Sequence, residues 1–413
     1  MQSLSLTRVQ DITLKTFMSI CVILPTGSFF DINVKFLSLA MVLFLAIFVN
    51  KGSGFIKISS GMFLPLMLLI SFIWITMLNG RYIQETKDQA QDIFVFFIIT
   101  TLGYSIIEKE RRVEIITKTI VDCLIFMGFV KLLIFAYSIV TGIGVGAIVK
   151  LISSLFGTSL MVMESDDIAI SRINFMSDYM LPIAIYLKTR EYLSRKKNIF
   201  DAIVLAILMY SLIVSMSRFL WFIGIASFLL AIAADIKKKK SIFIVVAIIA
   251  VSYFLLSLPS TQEILEFRFS SQRASESDNL RSLQLNAIAT AFSNAPMLGN
   301  GIGYFTPNLI RSYVARYSYE LQIQALYMQI GIIGATSLLL IIIATLLSQA
   351  KNITIKEFFV FLALIVMWLA GGFFNPVIIS STGGVSFLLL FTVPDAMKKM
   401  KSNCIGAYHN RVT

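Results

Sequence analysis

Apolar and polar residues come in blocks along this chain. Twelve apolar stretches run roughly through 13–30, 34–50, 62–79, 93–107, 115–141, 175–190, 199–216, 219–234, 241–258, 320–349, 358–372 and 376–393. Blocks approaching 20 apolar residues match the length of a helix that crosses a bilayer. The pattern therefore predicts an all-α, polytopic integral membrane protein with about 12 transmembrane helices, residues 1–413 forming a single membrane domain. Several blocks are shorter than a straight span, so tilt and block ends are loosely defined. Arg8 and Lys15 precede or open the first block, and no Ala-x-Ala cleavage site follows it. It reads as an uncleaved span rather than a signal peptide.

Most connections between blocks are short. Two are long, 142–174 and 259–319, and specific chemistry is expected on these two loops. Basic residues orient the spans, because Lys and Arg collect in cytoplasmic loops. With both termini inside, the inside segments hold Lys51, Lys57, Lys109, Lys118, Lys188, Lys196, Lys197, Lys237 to Lys240, Lys351, Lys356, Lys398, Lys399 and Lys401. Arginine divides differently, six inside against eight outside, and since long translocated loops escape the rule some outside arginine is expected by chance. Arg81, Arg172, Arg218, Arg268, Arg273, Arg281, Arg311 and Arg316 all fall outside. The guanidinium is a planar fork suited to phosphate and carboxylate, so arginine on this side points to an anionic substrate. No internal repeat is visible, which disfavours a transporter built from two similar halves.

Composition narrows the function classes. Hydrophobic residues make up 57% of the chain and charged residues 14%, against about 25% charged in soluble domains. A soluble enzyme and a disordered chain are excluded, and the net charge of +12 reflects inside loops rather than nucleic acid as a partner. Cys21, Cys123 and Cys404 are far apart and suggest no disulfide framework. His409 is the single histidine, so no histidine base and no histidine-rich metal site is available in the body of the chain. Glu164, Asp166 and Asp167 read as a solvated acidic loop; no metal and no cofactor is expected.

The large loop carries most of the candidate chemistry. After a flexible polar run, Ser270 to Asn279, Ser277 or Asp278 is placed to cap a helix through Arg281, Leu285, Ile288, Ala289 and Phe292. Its apolar spacing predicts one face buried or laid on the membrane surface. Arg281 near that helix start is either an anion site or an exposed arginine making a surface pair. Gly299-Asn-Gly301-Ile-Gly303-Tyr304 superficially resembles a dinucleotide fingerprint. It follows a helix instead of a strand, and reads as a tight turn needing positive φ angles. Beyond it Tyr313, Tyr317, Glu320 and Gln324 recur at helical spacing, forming one polar face at the membrane boundary. Arg316 and Glu320, four apart, either pair or serve catalysis. Between 199 and 234 no loop separates two spans, so Arg218, in Ser215-Met-Ser217-Arg218-Phe219, lies at the outer boundary. It either snorkels to headgroups or points into a cavity that holds a phosphate. Lys131 inside the fifth block snorkels or pairs within the bundle, and no role is assigned to it.

These pieces, in this order, resemble the O-antigen ligase and polymerase superfamily. The resemblance rests on Ser217-Arg218 before an aromatic-rich span, Arg281, Ala287 to Phe292, Asn294-Ala-Pro296-Met-Leu-Gly299-Asn-Gly301-Ile-Gly303, Tyr319-Glu320-Leu321 and Gln329-Ile-Gly331-Ile-Ile-Gly334. It covers roughly residues 215–335, with Phe373-Phe-Asn375-Pro376 beyond. It implies a membrane glycosyltransferase of the bacterial inner membrane, working at the periplasmic face on undecaprenyl-pyrophosphate-linked oligosaccharides. Ligases of the superfamily usually carry a histidine, often His-Asn, where this chain has Glu320-Leu321. The departure favours an O-antigen polymerase of the Wzy type. In that reading Arg218 and Arg281 stabilise the pyrophosphate leaving group and Glu320 orients or deprotonates the acceptor hydroxyl. Arg172, Arg311, Arg316, Tyr317 and Gln324 bind substrate. Membrane lipids and a polysaccharide chain-length regulator are the further candidate partners. The alternatives are ligation to lipid A core, and transport of an anionic or lipid-linked substrate.

Overall fold

Helices follow the apolar blocks closely. The computed structural model of the chain describes residues 2–24, 28–29, 32–80, 83–156, 162–163, 172–194, 199–234, 262 and 271–409. In chain order the helices are α1 (Gln2–Ile23), α2 (Val34–Phe48), α3 (Ser53–Leu78), α4 (Ile83–Ser105), α5 (Lys118–Thr141), α6 (Val145–Phe156), α7 (Leu181–Ser194), α8 (Ile199–Val214) and α9 (Arg218–Ala234). There follow α10 (Ser271–Asn294), α11 (Gln322–Leu347), α12 (Ile355–Ala370), α13 (Ser381–Phe391) and α14 (Val393–His409). Two small antiparallel hairpins, β1 (Ser28–Phe29) with β2 (Ile32–Asn33) and β3 (Val162–Met163) with β4 (Arg172–Ile173), sit between helices.

Local signals set many of the helix ends. The Asn33 side chain accepts from the Phe36 N–H at 3.1 Å and starts α2. Thr354 and Glu357 form a reciprocal capping box at the start of α12. Gly142, at φ 69°, ends α5 in the left-handed conformation that glycine tolerates best.

Among the described residues four helical runs are long and apolar enough to cross a membrane: Ser53–Leu78, Lys109–Thr141, Gln322–Lys351 and Ile355–Phe373. Shorter apolar helices include Val34–Phe48, Ile199–Val214 and Arg218–Ala234. Large apolar side chains stand exposed along their outer faces, among them Phe36 and Phe44 on α2, Phe63 and Trp74 on α3 and Phe222 on α9. Contiguous faces of this kind belong against lipid rather than water. The centre is α13, apolar and buried on nearly all sides, packed on α4 and α1, and α7, packed on α8 and α9. A helix apolar all round is a core helix.

Several boundaries depart from the sequence expectation. α1, α3 and α4 each begin about ten residues before their apolar blocks, because helices project beyond the hydrocarbon they cross. The ninth apolar block, 241–258, the Glu263 to Arg268 stretch and the acidic trio Glu164, Asp166 and Asp167 lie outside the described residues. The polar run expected to be flexible is helical from Ser271. Asp278 therefore sits inside α10 instead of capping it. Its carboxylate bridges arginines and does not bind its own backbone. The helix spacing at 311–321 is also overturned, since α11 begins only at Gln322. The Ser312 hydroxyl accepts from the Val314 and Ala315 N–H groups at 3.3 Å, and Ser318 N closes a turn on Ala315 O at 3.0 Å. These local bonds compete with the helix ladder.

The two ends of the bundle differ in chemistry. At one end, Lys356 Nζ reaches the last carbonyls of α9, Ala233 O at 3.2 Å and Ala234 O at 2.9 Å. Lys401 pairs there with Glu357 at 2.9 Å, and Arg112 bonds Gln349 at 3.2 Å. The opposite end, where α8 turns into α9 and α11 begins, gathers arginine.

Candidate active site

The α8–α9 turn is tight. Met216 takes a positive φ of 44°, rare outside glycine, and the Trp221 indole N–H donates to Leu212 O at 3.0 Å, closing the hairpin. The Ser217 hydroxyl accepts from the Leu220 N–H at 3.4 Å, so Arg218 opens α9 with its guanidinium free to point across the end of the bundle. Arg172, from β4 of the first long loop, donates through Nε to Ser215 O at 2.9 Å. Two arginines far apart in sequence thus meet on one turn.

α10 and the segment before α11 complete the cluster. Arg218 and Arg281 share one oxygen of Asp278, at 3.3 Å and 3.4 Å. Arg281 Nε also donates to Glu320 Oε2 at 3.0 Å, and Arg311 bonds the other oxygen, Oε1. The Glu320 N–H donates to the buried Gln284 at 3.1 Å, which fixes the carboxylate from below. The Arg281 guanidinium lies 5.9 Å from the centre of the Phe374 ring, which stacks on Phe219 at 4.8 Å. Among the described residues the guanidinium groups of Arg218, Arg281 and Arg311 thus share the carboxylates of Asp278 and Glu320, and Arg172 stands beside them on the Ser215 carbonyl. Burial pulls the Arg172 guanidinium below its ordinary value; Asp178 and Glu320 oppose this and Arg281 adds to it. An arginine keeps its charge through such shifts.

Beside the cluster the glycine turn is wedged into a broken helix. α11 leaves helical geometry at Gly331, with φ 64° and ψ −175°. The freed carbonyls of Met328 and Gln329 accept from Asn300 N at 3.0 Å and Gly301 N at 2.8 Å. The freed amides of Ile332 and Ile333 donate to Pro296 O at 2.8 Å and Met297 O at 3.2 Å. The turn also reaches α3 and α4. Ile302 N donates to Thr76 Oγ1 at 2.8 Å, Gly303 N to Gln89 Oε1 at 2.5 Å, and Thr86 Oγ1 to Ile302 O at 2.9 Å. Gln89 in turn bonds Gln329, which donates on to Tyr304 O and Tyr317 O, both at 3.0 Å. Irregular backbone below a membrane surface is stable when its polar groups are met by protein, as they are here. Gly299, Gly301 and Gly303 all have positive φ, as the sequence predicts. A Cβ on Gly299 or Gly331 would also strike the backbone of the opposing strand of this junction.

Under Arg172 lies a buried ion pair. Lys131 Nζ donates to both oxygens of Asp178 at 2.7 Å and to Ser211 O at 3.3 Å, and both side chains are almost wholly enclosed. The Asp178 carboxylate also accepts from the Phe175 N–H at 2.8 Å.

Five of the eight sequence candidates converge here: Arg172, Arg218, Arg281, Arg311 and Glu320. Arg281 is not near a helix start, as expected, but ten residues into α10, so it acts by its own charge and not with a helix terminus. On that helix Arg281, Ile288 and Phe292 face inward as predicted, while Leu285 and Ala289 are exposed and Gln284 and Ala291 are buried in their place. Arg316 does not pair with Glu320. It pairs with Glu85 on α4 at 3.6 Å and lies over Phe305, because without a helix at 311–321 the two residues are not on one face. Tyr317 also turns to α4, donating to Asp92 Oδ2 at 2.7 Å. Burial, and then the Asp92 carboxylate, push its phenol above the ordinary value, so it stays a donor. Gln324 sits in the first turn of α11, its Oε1 buried with no hydrogen-bond partner among the described residues.

The sequence reading missed Asp278 as a bridge, Phe374 as a platform, and Asp178 as the partner of Lys131. Asp278 lies three residues before Arg281 on a helix, a visible pairing distance. Asp178 is a carboxylate inside an apolar block, which is itself a signal. Compared with known proteins, the chain matches no family model and no curated protein.

Proposed function

We propose that this chain is an O-antigen polymerase of the bacterial inner membrane, with twelve membrane helices, both termini cytoplasmic and the arginine end of the bundle facing the periplasm. The observation that carries the reading is the convergence of the Arg218, Arg281 and Arg311 guanidinium groups on two carboxylates, at the end of the bundle opposite Lys356 and Lys401. That is the electrostatics a pyrophosphate leaving group needs. The donor is a growing glycan on undecaprenyl pyrophosphate and the acceptor a single lipid-linked repeat unit. The acceptor hydroxyl attacks the donor's anomeric carbon, the bond from that carbon to the pyrophosphate oxygen breaks, and undecaprenyl pyrophosphate leaves with the negative charge.

Asp278 holds Arg218 and Arg281 through one exposed oxygen at long distances, contacts that a phosphate oxygen replaces readily. Glu320 has both oxygens engaged by Arg281 and Arg311. In this reading it first aims those arginines, and takes the acceptor's proton once they turn to the phosphates. A chain-length regulator is the expected protein partner.

A lipopolysaccharide gel from cells lacking the gene tests the proposal. Core carrying one repeat unit, with the ladder lost, is the expected result. Bare core with accumulated lipid-linked polymer assigns a ligase instead. An unchanged ladder removes the whole assignment and favours a transporter.

A further inference from the structure

Away from the arginines, the same end of the bundle contains a second polar hollow. It is a partly open cavity of about 170 Å³ between α1, α2, α4 and the start of α13. Phe17, Lys35, Phe36, Gln91, Asp92 and Ser381 line it. The larger hollow along α1, about 410 Å³, is walled mainly by Ile12, Ile20, Ile23 and Leu24, the apolar surface expected against lipid. The smaller one is different in kind. A buried lysine and a carboxylate contribute one charge of each sign to its wall, an amide and a hydroxyl supply donors and acceptors, and two phenyl rings stand beside them. Balanced charge with mixed hydrogen-bonding groups suits a neutral polyhydroxy ligand rather than a phosphate.

Two short segments join this hollow to the arginine cluster. Tyr317 bonds the cavity residue Asp92, and three residues later Glu320 holds Arg281 and Arg311. Three residues of chain reach at most about 11 Å. The second segment runs from Phe374, beneath Arg281, to Ser381 in the cavity wall. It is tied to α11 midway, where Ile378 N donates to Gln322 Oε1 at 2.9 Å. Tyr317 occupies Oδ2 of Asp92 and leaves Oδ1 to accept from a ligand hydroxyl.

The geometry points to this cavity as a sugar-binding subsite, holding one ring of the lipid-linked oligosaccharide while the arginines hold its pyrophosphate or that of its partner substrate. Phe17 or Phe36 supplies the apolar face, and Asp92, Gln91 and Ser381 read the ring hydroxyls. This assignment rests on the polymerase reading for the identity of the sugar, but not for the location of the subsite. Specificity for the repeat unit then resides here, because a site built to hydrogen-bond hydroxyls rejects analogues that lack them.

The test uses the purified full chain in detergent and the repeat-unit oligosaccharide freed from its lipid pyrophosphate by mild acid. Binding is followed by saturation-transfer NMR and titration calorimetry. Wild type is expected to bind, and Ser381→Leu, which fills the cavity, and Asp92→Asn are expected to weaken binding 10-fold or more. Arg281→Ala is expected to bind this phosphate-free probe like wild type. Thermal unfolding of each variant separates lost binding from lost folding, and Gln91→Ala, at an exposed helix position, supplies a further variant that leaves the core intact. Wild-type affinity in folded Ser381→Leu and Asp92→Asn overturns the subsite, as does the absence of binding to wild type. The polymerase reading stands or falls separately on the gel: loss of the ladder on gene deletion keeps it even when the cavity variants bind normally.

Discussion

In the glycine turn the N–H groups of Asn300, Gly301, Ile302, Gly303 and Tyr304 each meet an acceptor, whereas in the arginine cluster next to it, among the described residues, three guanidinium groups share two carboxylates. Both regions draw on the stretch between α10 and α11, the turn at 299–303 for the first and Arg311 and Glu320 for the second. One is saturated with hydrogen bonds and walled by backbone; the other is half-exposed and held by contacts that a ligand can displace. The saturated region is scaffold, and its rigidity is what lets the neighbouring charges stay close together without a substrate. Buried polar networks are stable only when complete, while the proposed pyrophosphate site needs donors whose present contacts a ligand can displace.

Four substitutions test this contrast. The largest effect is expected below the cluster. Lys131→Met leaves Asp178 charged and enclosed, and should cost about 3–5 kcal/mol in thermal or denaturant unfolding in detergent. Adding Asp178→Leu should recover most of the loss; a double variant no better than the single one would show that the pair does more than neutralise itself. Next, Gly331→Ala should cost about 2–4 kcal/mol, since it combines a positive φ with a backbone collision at Met297. Wild-type stability there would mean that the loop is not wedged as described. Arg281→Lys keeps the charge and loses the fork. Charge-assisted hydrogen bonds contribute about 1.5–3 kcal/mol, so turnover on lipid-linked donor should fall about 10- to 100-fold with the unfolding midpoint unchanged. An equal loss of stability would move Arg281 from the binding region to the scaffold. The smallest effect is expected for Arg316→Ala. Its pair with Glu85 is long, at 3.6 Å, and exposed on the arginine side, and contributes at most about 1 kcal/mol. Stability and donor affinity should both stay near wild type, and a fall like that of Arg281→Lys would place Arg316 among the pyrophosphate ligands after all.

Periodicity made the helices legible, and hydropathy made their setting legible. α2, α8 and α9 match their apolar blocks to within two residues. The positive φ angles at Gly299, Gly301 and Gly303 were readable because only glycine takes such angles freely. Pairings across the chain were not readable. Glu320 stands four residues from Arg316, yet it bonds Arg281 and Arg311, because the Ser312 hydroxyl and the turn at Ala315 unwind the helix that would have joined them. The break at Gly331 was hidden for a related reason. An apolar block looks continuous to hydropathy, and only the docking of 296–303 shows where its ladder is interrupted. Gln89 and Thr76 read as stray polar residues near helix ends until their partner loop is in place.

That docking also imposes an order of assembly. Thr76 and Gln89 leave the ribosome more than 200 residues ahead of their partners, at sequence separations of 226 to Ile302, 214 to Gly303 and 240 to Gln329. Chains are made and begin to fold from the N-terminus. Helix α4 therefore forms with its Gln89 amide still lacking these partners, the Thr76 hydroxyl of α3 has only Phe72 O to bond, and α11 cannot close its own ladder until the segment just before it folds back. The turn at 299–303 is the late fastener of the molecule. A chain truncated before it would leave the Gln89 amide without its partners Gly303 and Gln329, the kind of defect that cellular quality control removes.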